Sequence, residues 1–275
     1  MKIKHYDSYR SFIDKMAEVY PQKPHHQDAD FAGVGTFDEA YALARGGWHD
    51  RSGDVRALSD TLMDQFERKA GLSMTQHWDM VGGAFDYQSY LAGDPDCMSE
   101  FIQTRQDRSG RVFRLLIDPG GAGDVSARFL MNRAAAIVTL LDIIQRSGNS
   151  LELWIASPAM NIVKNYVTMT PVFCLHPAGG VVDLDSIMFA CGHPSFLRWM
   201  VFTDRTITSG VPGHRFGRSQ PLRLCTQLLD IVQPDYLVER SEHARGEPSA
   251  GDNPEGWIMH TLEQLGVLDT DDEVY

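Results

Sequence analysis

Apolar side chains recur at helical spacing three times in the first seventy residues. Tyr9, Phe12, Ile13, Met16, Val19 and Tyr20 share one face until Pro21 and the polar run PQKPHHQDAD break the pattern. That spacing predicts a helix followed by a loop. In GTFDEAYALARGGW, Thr36 and Glu39 have the spacing of a capping box, Phe37, Ala40, Tyr41 and Ala44 give the apolar face, and Gly46 and Gly47 end it. Leu58, Leu62, Met63 and Phe66 repeat the pattern over residues 55–70, up to Gly71. A short strand from Met80 to Phe85 and a turn at Gly93-Asp94-Pro95 are predicted next. The charged, glycine-punctuated stretch TRQDRSGR, residues 104–111, is the best boundary.

After Arg111 the period changes. VFRLLID is a compact apolar strand, DPGGAGD a glycine-rich turn, and Ser126 to Arg146 a long helix whose polar positions Arg128, Asn132, Thr139, Asp142 and Arg146 form one narrow stripe. Gly148 ends that helix and SLELWIAS is a second strand. A strand, glycine turn, helix and strand within about 45 residues is the pattern of a parallel βαβ unit. Further on, PVFCLH (171–176) reads as a strand, FLRWMVF (196–202) as a strand or a helix end, Pro221 to Val232 as a helix, and DYLVE as a strand. The last helix takes Asp252 or Asn253 as its cap, Pro254 at its first position, and Gly266 as its stop.

These elements predict an α/β fold with an open, mostly parallel sheet flanked by helices. Three segments are expected: a mainly helical region over 1–108, the α/β domain over 109–268, and an acidic tail, DTDDEVY, over 269–275.

Composition narrows the possible partners. The net charge of −12 is even, with six net negative charges in residues 1–110 and six in 111–275. Nucleic acid is held largely by cations that neutralise phosphate, so direct nucleic-acid binding is not expected. No apolar run approaches the roughly 18 residues of a membrane span, and MKIKHYDSYRSF lacks the apolar centre of a signal peptide, so a cytoplasmic protein off the membrane is expected. Cys97, Cys174, Cys191 and Cys225 are far apart, which favours reduced, buried thiols over a zinc or redox motif.

Ligands of open α/β sheets bind beyond the carboxyl ends of strands, which directs attention to the loop from Asp118 to Asp124. Gly121 and Gly123 give part of a dinucleotide pattern, but Ser126 stands where its third glycine belongs, and no Walker pattern occurs. No H-E-x-x-H or G-x-S-x-G pattern occurs either. Among the histidines, His176 is the functional candidate, ending a predicted strand shortly before Asp183 and Asp185 in GGVVDLDS.

The strand-loop-helix RLLIDPGGAG resembles the start of a von Willebrand A-type domain, whose first strand runs into an Asp-x-Ser-x-Ser metal loop. Asp118 matches the aspartate, whereas Gly120 and Ala122 replace the two serines. The loss of two hydroxyl ligands leaves no metal or other cofactor favoured; Asp118 and Asp183 are the ligands expected should magnesium bind. The phrases GTFDEAYALARGGW, YLAGDPDCM and LLDIIQRSGNSLELW together resemble a family of uncharacterised proteins of tailed phages and prophages. The resemblance implies a degenerate von Willebrand A-like domain and no particular reaction.

The function expected is therefore that of a non-enzymatic, phage-type binding or assembly protein. It holds a protein partner at the carboxyl edge of its sheet through Asp118, Gly120, Gly121, Asp124, His176, Asp183 and Asp185. Two alternatives stand beside it: a metal-assisted hydrolase or phosphotransferase using Asp118, Asp183 and His176, and an acidic mimic of nucleic acid acting on a host protein.

Overall fold

In chain order the elements are β1 (Lys2–His5), α1 (Tyr9–Val19), α2 (Ala29–Ala32), α3 (Phe37–Gly46), α4 (Ser52–Lys69), β2 (Met74–Asp79), β3 (Ala84–Phe85), β4 (Met98–Gln103), β5 (Val112–Ile117), α5 (Ala127–Arg146), β6 (Ser150–Ala156) and β7 (Met169–His176). There follow α6 (Leu184–Gly192), a π-helical turn (Phe196–Val201) running into α7 (Phe202–Ser209), α8 (Thr226–Val232), β8 (Tyr236–Val238) and α9 (Pro254–Gln264). The computed structural model describes residues 2–22, 24–49, 52–69, 74–79, 84–85, 98–103, 110–120, 126–159, 169–209, 220–239 and 248–268.

Side chains alternate across the strands, and that alternation builds two layers of core. Phe113, Leu115 and Ile117 of β5, Leu151, Leu153 and Ile155 of β6, and Phe173 of β7 point into the main cluster with α1, α3, α5, α6 and α9. Leu116, Ala156 and Val172, each one position out of phase, point the other way and pack on Leu222, Leu228 and Val232. A fully buried leucine or phenylalanine contributes about 1.5–3 kcal/mol, so both faces carry substantial stabilisation.

The main sheet runs β1-β7-β6-β5-β8, and a second, three-stranded antiparallel sheet runs β2-β4-β3. In the main sheet β1–β7, β5–β6 and β5–β8 are parallel pairs. Only β6–β7 is antiparallel. The fold is thus the expected α/β class with a mostly parallel, helix-flanked sheet. α5 links β5 to β6 in the parallel unit read from the sequence.

Four features differ from expectation or extend it. First, Lys2–His5, inside the region expected to be mainly helical, form an edge strand on β7, and Tyr6, Tyr9 and Phe12 share the main core with β5. Residues before and after 108 therefore contribute to one core, while 104–109, most of the expected boundary at 104–111, lie outside the described residues. Second, FLRWMVF is helical throughout, as a π-helical turn, because Phe196, Leu197, Trp199, Met200 and Val201 are all buried and its apolar run is a core helix rather than a strand. Third, the polar stripe of α5 is interrupted at Thr139, which is wholly buried and donates to Ser59 of α4, so α4 covers the middle of that stripe. Fourth, the strand expected between Met80 and Phe85 is β2 at Met74–Asp79 with the two-residue β3, residues 80–83 lying outside those described.

The capping predictions hold in detail. Thr36 and Glu39 form the capping box of α3, Asn253 caps α9 with Pro254 in its first turn, and Gly47 and Gly266 take positive φ at the helix ends.

Candidate functional site

The strand order places β6 on one side of β5 and β8 on the other, so the sheet reverses direction of growth at β5. Such a reversal opens a crevice at the carboxyl ends of the strands. The first residue beyond β5 is Asp118, fully buried, its backbone amide held 3.0 Å from the Val238 carbonyl of β8. Its Oδ1 accepts from the Gly120 amide at 2.9 Å and, more weakly, from the Ser157 hydroxyl at 3.4 Å, Ser157 being the first residue beyond β6. Arg205 of α7 donates through Nη2 to the Ser157 carbonyl at 2.6 Å and its hydroxyl at 2.9 Å. Glu239, directly after β8, accepts from the Leu222 and Arg223 amides at 2.8 and 3.1 Å. Three strand ends thus deliver an aspartate, a serine and a glutamate to one edge, with Arg205 reaching in from the helical layer.

A second arginine underlies this edge. Arg133, in the second turn of α5 and 2% exposed, donates to the backbone carbonyls of Asp118, Pro119 and Gly120 and twice to that of Cys191 at the end of α6. Next to Arg205, the buried Asp204 accepts from the Lys4 ammonium at 2.9 Å and from the Tyr6 hydroxyl, tying β1 to α7. Burial and the Asp204 charge hold the Tyr6 hydroxyl protonated.

The residues singled out in the sequence divide between two places. Asp118 and Gly120 lie at the carboxyl edge as expected; Gly121 and Asp124 lie outside the described residues. His176, Asp183 and Asp185 lie elsewhere. β7 runs antiparallel to β6, so its carboxyl end leads away from the edge that carries Asp118. Asp183 caps α6 through the Ser186 amide and accepts from the Ser186 hydroxyl at 2.7 Å. It sits at the opposite end of α6 from Cys191, which Arg133 ties to the Asp118 turn, about 12 Å along the helix. Asp185 lies 3.0 Å from His49 Nδ1 and packs so closely on Gly47 that a Cβ there would stand 2.4 Å from its own. Asp183 accordingly caps α6 itself, and Asp185 joins α6 to the residues that end α3.

His176 is turned inward by an irregularity. A register shift in the β6–β7 ladder pairs Trp154 with Cys174 but Leu153 with His176, so the residue falls opposite a side chain of the main core. It is 2% exposed, its Nε2 has no hydrogen-bond partner, and burial pulls its pKa below the ordinary value.

Among the described residues no group of three or more His, Cys, Asp or Glu side chains could hold a metal ion. Cys174, Cys191 and Cys225 are free thiols. Burial raises Cys191 to about 12 against the opposing pull of Arg133, and raises Cys174 and Cys225 to about 11, so none is a poised nucleophile. No helix among the described residues is long and apolar enough to cross a membrane.

Sequence reading missed Arg133, Ser157, Arg205, Asp204 and Glu239. A signal existed for Arg133: it stands one position out of phase with the stripe of Arg128 and Asn132, on the face that α5 turns to its neighbours.

Compared with known families, the chain matches over residues 2–267 a family described as a domain of unknown function (DUF7192). The chain belongs to that family. No curated protein and no solved structure matches it. The likenesses to tailed-phage proteins and to von Willebrand A-type domains gain no support from these comparisons, and DUF7192 membership covers the N-terminal and α/β parts alike.

Proposed function

We propose that this DUF7192 protein is a non-enzymatic binding protein that seats a protein partner at the carboxyl edge of its main sheet. The observation that carries the reading is the chain of contacts Arg205–Ser157–Asp118, which joins the ends of two neighbouring strands and a helix at the point where strand order reverses. Buried polar groups held in this way form a preorganised floor, and a partner laid across it meets strand ends and loop backbone rather than a flat sheet face. The sequence carries no intact Walker, dinucleotide or hydrolase motif, and its even acidic charge suits nucleic acid poorly, which favours a protein as the partner. The alternative of a metal-assisted hydrolase is not favoured by the same geometry, since Asp183 and His176 do not converge with Asp118.

The test is recovery of partners from cell extract by tagged wild-type chain and by Asp118→Asn and Arg205→Gln variants, with melting temperature recorded for each. The expected result is that both variants stay folded and lose the same proteins. Folded variants that retain every wild-type partner would remove the carboxyl edge as the binding surface.

A further inference from the structure

Residues 24–35, between the 3-10 turn Tyr20–Gln22 and α3, lie as a strap across the π-helical turn. Three contacts fasten it. His25 Nε2 lies 3.3 Å from the Arg198 carbonyl, Trp199 Nε1 donates to the Val34 carbonyl at 3.2 Å, and the Arg198 guanidinium sits 3.6 Å above the Phe31 ring. The His25 ring lies over the Trp199 indole with centroids 5.2 Å apart and meets Tyr20 edge-on at 5.6 Å. π-Helical geometry is rare and concentrates where a fold does something besides pack.

The Arg198 carbonyl only accepts, so Nε2 carries the ring proton and Nδ1 is the bare nitrogen. His25 is 8% exposed and Nδ1 has no hydrogen-bond partner. A proton added to Nδ1 would be a buried, unsatisfied donor on a charged ring, which is costly while the strap stays closed. The charged and titratable groups around the ring do not offset that cost. His26 beside it and Arg198, whose guanidinium stacks on Phe31, are basic, Asp28 accepts from the Asp30 and Phe31 amides through Oδ1, and Asp38 acts on Tyr20.

We propose that His25 is a proton-operated latch, and that protonation of its Nδ1 releases residues 24–35 from the π-helical turn and uncovers Trp199. Burial lowers the pKa of the closed form, whereas the open form titrates near the ordinary value of 6.5. Opening is then independent of pH above about 6.5 and grows about tenfold for each unit below it, until the closed form also takes the proton.

Hydrogen exchange of the full chain at pH 7.5 and 5.5, corrected for intrinsic rates, tests the latch. The expected result is a loss of protection at pH 5.5, of at most about tenfold, confined to 24–35 and 196–201, with α5 unchanged. In His25→Gln, whose amide can still donate to the Arg198 carbonyl but does not titrate, that loss disappears. Equal loss in His25→Gln, or equal loss across α5 in the wild type, overturns the proposal. Should His25→Gln not fold, the wild-type chain decides alone: His25 ring signals must shift over the pH interval in which the strap amides lose protection, and titration with those amides still protected overturns it.

Discussion

The guanidinium of Arg133 grips the carbonyl of Cys191 with two nitrogens, Nε at 3.0 Å and Nη2 at 2.7 Å, and so fixes the end of α6 against the turn that follows β5. The same group also holds the carbonyls of Asp118, Pro119 and Gly120, which makes it the keystone of the carboxyl edge. Replacement by methionine keeps the volume but strands these buried acceptors, each costing about 1–3 kcal/mol when unsatisfied. Arg133→Met is expected to lose about 3–5 kcal/mol, and Arg133→Lys most of that, because an ammonium cannot span the fork. Urea unfolding monitored at constant slope measures both; a loss under 1 kcal/mol for Arg133→Met would show that α6 is held by something else.

Gly251 and Phe129 are coupled by contact. A Cβ at Gly251 would fall 2.3 Å from Phe129 Cδ2, so Gly251→Ala must displace the ring and is expected to cost about 1–3 kcal/mol. In the Phe129→Ala background the obstruction is gone and the same substitution should become nearly neutral. A double-mutant cycle reads this directly, and strict additivity would contradict the contact.

Much of this architecture was legible in the sequence, for identifiable reasons. β5, α5 and β6 announce themselves because a buried parallel strand needs a continuous apolar run and a long helix needs a continuous face, and both signals are local. β1 does not, because Lys2 and Lys4 flank a single apolar Ile3, and four residues become a strand only once β7 offers an edge. The direction of β7 is equally silent: the link of residues 157–168 is long enough for either orientation. That one unreadable choice decides the site, since an antiparallel β7 carries His176 and Asp183 away from Asp118. Arg205 and Ser157 come from separate segments, as do Asp204 and its partners Lys4 and Tyr6, and only the assembled fold brings each set together.

The division of acidic residues between two places has its own consequence. Asp183 caps α6, so Asp183→Ala is expected to cost about 1 kcal/mol of stability. Because it lies a helix length from the carboxyl edge, partner recovery should be unaffected, in contrast to Asp118→Asn. Loss of the same partners from both variants would show that the two ends of α6 act as one surface.

Gly47 supports that junction. It holds φ at +89° with Asp185 packed against its Cα, so Gly47→Ala meets both backbone strain and a clash of 2.4 Å. A loss above about 2 kcal/mol is expected from the two together. Thermal unfolding checks it, and a neutral result would place Asp185 away from the Gly47 backbone.

His176 sets how the fold responds to acid. Its ring is buried and its pKa is lowered by loss of hydration, whereas in the unfolded chain it titrates near 6.5. Above about pH 6.5 neither state binds the proton, and the residue adds no pH dependence. Below that, the unfolded chain binds the proton first, so stability falls as pH falls, by up to about 1.4 kcal/mol per unit until the folded pKa is reached. His25, shifted in the same direction, adds to the slope. Replacing His176 by leucine removes one titration and fills the same core position opposite Leu153. The expected outcome is similar stability at pH 7.5, a shallower fall between pH 6.5 and 5, and a difference in slope from wild type of up to about 1.4 kcal/mol per unit. Chemical denaturation across that range measures it, and parallel curves for the two proteins would mean that His176 takes up its proton as readily folded as unfolded, which a ring shut inside the core cannot do.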